Sequence, residues 1–243
     1  MSAQPEPAAR TIPTGERLIL ALDVPDFGAA KALVERLGDA VSFYKIGLEL
    51  ATTPDYFRLL DWLLERDKRV FCDLKLYDIP ATVGAAVRQI SRSGASFLTV
   101  HGDRAIMQAA AEHKGDALAI LAVTVLTSIG REDLVAMGIT LDVETLALQR
   151  AEQAVACGCD GIIASGLEAA PLRRRLGPDP LIVTPGIRPR GHAGGDDQKR
   201  FVTAADALQA GADYLVVGRP IRAATDPRAA ALELQREIAA VYR

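Results

Sequence analysis

Short apolar runs alternate with longer amphipathic segments along most of the chain. The first run, Leu18-Ile19-Leu20-Ala21-Leu22, ends at Asp23, and a helical stretch over residues 26–37 follows until Gly38 stops it. Runs at 41–47, 70–75, 96–100, 117–125, 161–164, 181–184 and 214–217 read as seven further strands. Helical spacing recurs over 54–66, 104–113, 143–156, 168–176, 203–210 and 227–242. One more helix begins around Asp78-Ile79-Pro80, where proline in the first turn costs no hydrogen bond, and carries Val83, Val87 and Ile90 until Gly94. Eight strand–helix units with mostly short connections predict the α/β class and a (β/α)8 TIM barrel, one domain over residues 15–243 behind a loose, disordered N-terminal tail of residues 1–14. A doubly wound sheet is the alternative, but no G-x-G-x-x-G follows the first strand.

In such barrels the active site forms where the strands end. This chain marks those ends with Asp23, Lys45, Asp73, Lys75, His101, Thr127 and Arg188. Alternation along a strand sends Asp73 and Lys75 to one face and Cys72 and Leu74 to the other. Two charges turned into a barrel mouth are costly unless they neutralise each other or serve a ligand, and a lysine beside a carboxylate is an ammonium, able to give a proton. Plainer readings stand beside the functional ones. Asp78 can cap the third helix, Asp23 can belong to a turn, Lys45 can reach solvent at the rim, and Ser128 can start a helix. His101 reads as structural, having no partner close in sequence.

Beyond the last strands, Gly218-Arg219-Pro220 opens a helix with backbone N–H groups and a guanidinium disposed for an anion. Pro185-Gly186-Ile187-Arg188-Pro189 brings a second arginine, and the polar stretch 191–197 can fold over a bound phosphate.

Composition narrows the partners. The chain has 243 residues, 49% of them apolar and 24% charged, with a net charge of −3, which gives no footing for a nucleic-acid partner. No run approaches the ~20 apolar residues of a membrane span. Three cysteines, two of them in Cys157-Gly158-Cys159, fit a reducing cytoplasm, and no second cysteine pair or histidine cluster supports a metal site.

Together these residues resemble the orotidine 5′-monophosphate decarboxylase family, in its bacterial form. The likeness rests on Ala-Leu-Asp23, Tyr-Lys45-Ile-Gly, Asp73-Leu-Lys75-Leu-Tyr-Asp78-Ile-Pro-Ala-Thr82, Val-His101-Gly, Leu-Thr127-Ser, Thr-Pro185-Gly-Ile-Arg188-Pro and Val-Gly218-Arg219-Pro, in the family's order from Arg17 onward. The resemblance implies decarboxylation of orotidine 5′-monophosphate to uridine 5′-monophosphate and CO2, the last step of pyrimidine nucleotide synthesis, without metal or organic cofactor. By the same resemblance Lys75 gives a proton to C6, Asp73 lies beside the departing carboxylate, and Asp23 and Lys45 hold the ribose. Thr127 meets the pyrimidine, Arg188, Gly218 and Arg219 bind the phosphate, and Gln198 bridges base and phosphate. Asp78 and Thr82 are expected to reach a neighbouring subunit's site, which makes the protein a homodimer with shared active sites. Two rivals remain: a magnesium-dependent sugar-phosphate enzyme of the same superfamily, which carries a carboxylate where Lys45 stands, and a silent barrel that only binds a ligand.

Overall fold

The computed structural model describes residues 12–188 and 201–242. Eight parallel strands, β1 (Leu18–Ala21), β2 (Phe43–Gly47), β3 (Arg69–Leu76), β4 (Phe97–His101), β5 (Ala119–Val123), β6 (Gly161–Ile163), β7 (Leu181–Thr184) and β8 (Tyr214–Val217), form a closed barrel in chain order, with β1 paired to both β2 and β8. Each strand begins one of the predicted units, and the boundaries move by a few residues. The fifth strand is shorter than the apolar run 117–125. The run 54–66 contains the helix Tyr56–Leu64, preceded by a separate turn of helix at Leu48–Ala51.

Local chemistry explains where the helices start and stop. The side chain of Asp26 accepts a hydrogen bond from the Ala29 N–H, satisfying a free donor in the first turn of the helix Phe27–Leu37. Gly38 ends that helix with a positive φ of 58°, a conformation that costs glycine little. Asp142 and Asp226 cap the helices Val143–Ala156 and Pro227–Val241 in the same way as Asp26. Among the described residues no helix is long and apolar enough to cross a membrane.

Strand alternation divides the core into two shells. Leu18, Leu20, Tyr44, Ile46, Val70, Cys72, Leu98 and Val100 pack outward against the helices, while Ile19, Phe43, Phe71, Phe97, Tyr214 and Val216 fill the barrel. Phe97 lies 5.0 Å from Phe43 and 5.1 Å from Tyr214 between ring centroids, so an aromatic layer fills the interior. Below it, the Arg69 guanidinium covers Phe43 at 4.3 Å and pairs with Glu16 at 2.6 Å. Ile12, within the segment assigned to the tail, packs against the same inner cluster. The aromatic layer is therefore a floor, and the next inward positions of β2, β3 and β4 are Lys45, Asp73 and Thr99.

Candidate active site

Above the aromatic floor the inward side chains become ionic. Lys45 is only 8% exposed, so the reading that sends it to solvent is wrong. Its ammonium donates to Asp23 Oδ1 at 3.0 Å and lies 3.4 Å from Asp73 Oδ2. Lys75 Nζ donates to the other Asp73 oxygen at 2.7 Å. Asp23, Lys45, Asp73 and Lys75 thus form a chain of alternating charge, each buried charge compensated by its neighbour.

Asp73 is the centre of this chain. Burial pushes its carboxyl up, but Lys45 and Lys75, with hydrogen bonds from Lys75 and Thr99, outweigh burial and hold it below the ordinary value of 3.8. Asp73 is therefore an anion at neutral pH. Lys75 reaches it by an unusual backbone: φ is 47°, in the left-handed region, which costs a residue with a Cβ roughly 1–2 kcal/mol. The expectation that Asp73 and Lys75 share a face is met in space, but through an irregularity of β3 rather than through regular alternation.

The remaining groups arrive from other strand ends. Ala21, Asp23, Lys45, Asp73, Lys75, Thr127, Ser128, Arg188, Gly218, Arg219 and Arg222 line a cavity of about 500 Å³. Thr127 follows β5 on a loop fixed at its root: the Thr124 hydroxyl donates to the Ile163 carbonyl at 2.9 Å, and Arg150 Nη1 donates to the Thr124 carbonyl at 2.6 Å. Ser128 lines the cavity and starts no helix, since the next one runs over Arg131–Ala136 with Gly130 at its N-cap. Arg188 is 6% exposed, and its Nη1 donates to the Ile187 carbonyl at 2.8 Å. Gly218 follows β8, and the helical turn Arg219–Arg222 brings two guanidinium groups to the cavity.

Two expected residues fall elsewhere. Asp78 and Thr82 are exposed and do not line the cavity of their own chain. The Asp78 carboxylate accepts the Ile79 N–H at 2.6 Å, while the helix Pro80–Ser91 starts from Ile79 without a side-chain cap. Gln198 lies outside the described residues, as does the stretch 191–197. His101 is not among the cavity residues. It packs edge-on to Tyr77 at 5.3 Å, and burial, followed by Arg150 and Lys75, lowers its pKa, as suits a structural histidine kept neutral. The three cysteines are free thiols, and burial raises Cys72 to about 11 and Cys159 to about 12.

Thr99, Gly47 and Arg222 carry parts of the site that sequence reasoning did not assign. Thr99 follows Phe97 by two residues, so the alternation of β4 points it inward. Gly47 leaves room for the Lys45 ammonium, and Arg222 stands one helical turn beyond Arg219.

Among the described residues the cavity gathers five cationic side chains against two carboxylates, an excess of three positive charges. That balance suits a ligand with several negative charges.

A family model described as orotidine 5′-phosphate decarboxylase / HUMPS family matches residues 16–234. The chain is 56% identical over 233 residues to the orotidine 5′-phosphate decarboxylase of Methylococcus capsulatus, with 96% of each chain covered. It is 55% identical over 241 residues to that of Xanthomonas euvesicatoria, covering 99% of this chain and 97% of the relative. The crystal structure of orotidine 5′-phosphate decarboxylase from Lactobacillus acidophilus is similar with a TM-score of 0.79 and 32% identity, covering 92% of this chain and 99% of the other. With the match running through every strand of the barrel and every described residue of the charged cavity, the chain belongs to the orotidine 5′-phosphate decarboxylase / HUMPS family.

Proposed function

We propose that the protein decarboxylates orotidine 5′-monophosphate to uridine 5′-monophosphate and CO2, the last step of pyrimidine nucleotide synthesis. The observation that carries this reading is the alternating chain of Asp23, Lys45, Asp73 and Lys75, which holds an ammonium beside a carboxylate at the floor of the cavity. The guanidinium groups of Arg188, Arg219 and Arg222 line the same cavity, as binding of a phosphate requires.

Loss of CO2 from C6 leaves an electron pair in the plane of the ring, where the π system cannot delocalise it. In this reading the Lys75 ammonium stabilises that pair and transfers a proton to C6, replacing the broken C–C bond with a C–H bond. Asp73 stands beside the departing carboxylate and, with Lys45, fixes the ammonium 2.7 Å from its own oxygen. Asp23 and Lys45 hold the ribose hydroxyls, and Thr127 meets the pyrimidine. Arg188, Gly218 and Arg219 take the phosphate, and Gln198 is assigned to bridge phosphate and base. Binding energy at the phosphate can then order the charged chain for the chemical step.

The mechanism requires no metal or organic cofactor. An ammonium stands between Asp23 and Asp73, where a divalent cation would need an oxygen ligand, which supports decarboxylation over a magnesium-dependent reaction. A homodimer with shared sites is part of the same reading. Its support is Asp78 with Tyr77 and Ile79 at its sides, 68% and 66% exposed, an apolar surface suited to a second copy. Three free thiols support a cytoplasmic location.

Purified, metal-free protein mixed with orotidine 5′-monophosphate tests the function through the change in ultraviolet absorbance. Conversion to uridine 5′-monophosphate is expected, and its absence would overturn the reading.

A further inference from the structure

The ladder between β3 and β4 breaks where the charged chain begins. Cys72 pairs with Leu98 and Leu76 with Val100, so Asp73, Leu74 and Lys75 together face the single residue Thr99. Thr99 is fully buried. Its hydroxyl oxygen lies 2.9 Å from the Lys75 backbone nitrogen and 2.9 Å from Asp73 Oδ1.

We infer that Thr99 is a positioning residue for the decarboxylation, its hydroxyl holding the Lys75 backbone and the Asp73 carboxylate in one arrangement. The inference rests on the function proposed above and adds a residue to it. The partners fix the direction of both bonds. A backbone N–H can only donate and an ionised carboxylate can only accept, so the hydroxyl accepts from Lys75 and gives its one proton to Asp73. Asp73 Oδ1 also receives the Lys75 ammonium at 2.7 Å. A closed circuit results: Lys75 N–H to Thr99, Thr99 to Asp73, and the Lys75 ammonium back to the same carboxylate oxygen.

This circuit does two things that regular sheet pairing cannot. It satisfies the amide of a residue held at a φ of 47°. It also keeps Oδ1 turned to Lys75 while Oδ2 faces Lys45 at 3.4 Å. Without the hydroxyl, the Lys75 amide loses its partner and the carboxylate loses one of its two Oδ1 donors. The carboxylate can then rotate toward Lys45, and the Lys75 ammonium moves with it. The charged groups facing Asp73 are Lys45 and Lys75, with Asp23 beyond Lys45, and all three remain when Thr99 is replaced. The Thr99 bond is one of the contacts that hold the Asp73 pKa down, so its loss moves that pKa upward.

The test compares Thr99→Val, which keeps the shape and removes the hydroxyl, with Thr99→Ser, which keeps the hydroxyl and removes the methyl. Steady-state kinetics on orotidine 5′-monophosphate are measured across pH, and folding is checked by thermal denaturation. Thr99→Val is expected to lower kcat by about 10- to 100-fold, with KM altered less than about threefold and the acid limb of kcat displaced to higher pH. Thr99→Ser is expected to stay within about threefold of the wild type in kcat and to keep the limb in place. If the valine variant does not fold, Thr99→Cys replaces it, with a similar shape and a weak donor, and should fall well below serine. Wild-type kcat and acid limb in the folded hydroxyl-deficient variant overturn the inference, as does a serine variant equally impaired. A wild-type protein inert toward the substrate overturns the functional reading instead, so the two failures are distinguishable.

Discussion

Gly47 leaves the space that the Lys45 ammonium occupies: a Cβ at Gly47 would stand 2.9 Å from Lys45 Nζ. The clash is with the end of a flexible side chain, and the φ of Gly47, −107°, is open to any residue. Gly47→Ala should therefore fold with stability within about 1 kcal/mol of the wild type. The ammonium must move, however, and with it the partner of both Asp23 and Asp73. We expect kcat/KM to fall by roughly 10- to 100-fold, the scale set by a displacement of about 1 Å in a catalytic array. Denaturation curves alongside kinetics check this; an unchanged kcat/KM would refute it.

Lys75 combines a functional ammonium with a strained backbone, and two substitutions separate them. Lys75→Ala and Lys75→Gly should both abolish turnover, since neither can protonate C6. Glycine tolerates the φ of 47° that alanine resists, so the glycine variant should be the more stable of the two by about 1 kcal/mol. Urea denaturation of both proteins measures the difference. Near-normal activity in either would rule out the proton-donor role.

The eight units were legible because each strand is a short apolar run closed by a polar residue, as Leu18-Ile19-Leu20-Ala21 is by the following Leu22-Asp23. The charged cavity was legible for a related reason: strand ends carry polar side chains that the barrel interior cannot use. The bulge in β3 was not, because a register break is a property of two strands and leaves no mark on the periodicity of one. Thr99 shows the middle case. Its inward direction follows from Phe97 two residues earlier, but its importance depends on the Lys75 amide that the bulge turns toward it. Gly47 belongs with Thr99, since the need for a missing Cβ becomes visible only with Lys45 in place.

Stability should depend on the Asp73 charge in acid. Its folded pKa lies below the ordinary 3.8, so the carboxylate contributes stability that is fully present above the unfolded value and is lost as pH falls through the lower folded value. Asp73→Asn removes this contribution. The stability difference between wild type and variant should hold steady above about pH 5 and shrink below about pH 4, where the unfolded carboxyl begins to take up its proton. Urea titrations between these limits test the sign. A difference that grows on acidification would show that the carboxyl is destabilising when ionised.

Arg219 should act on the phosphate and spare the chemistry of a substrate that lacks it. Arg219→Ala is expected to reduce kcat/KM for orotidine 5′-monophosphate by about 10- to 100-fold, the loss of one charge-assisted contact. Turnover of orotidine, which lacks the phosphate, should change by less than about threefold. An equal loss on both substrates would move Arg219 out of the phosphate site.

Lys75 lies near the end of β3 and Asp78 on the connection that follows it, yet only Lys75 lines the cavity of its own chain. If Asp78 completes the neighbouring site, two inactive proteins should repair each other. Asp78→Ala supplies an intact Lys75, and Lys75→Ala supplies an intact Asp78. A mixed dimer then holds one complete site and one that lacks both groups. With free subunit exchange half of the dimers are mixed, so the mixture should regain about a quarter of the wild-type activity. Each parent alone should stay near its own background. The measurement is activity after mixing at equal concentration, with exchange followed by a mass or charge tag on one variant. Verified exchange without recovered activity would assign Asp78 to a role within its own subunit, such as its hydrogen bond to the Ile79 N–H, and would remove the shared site from the mechanism.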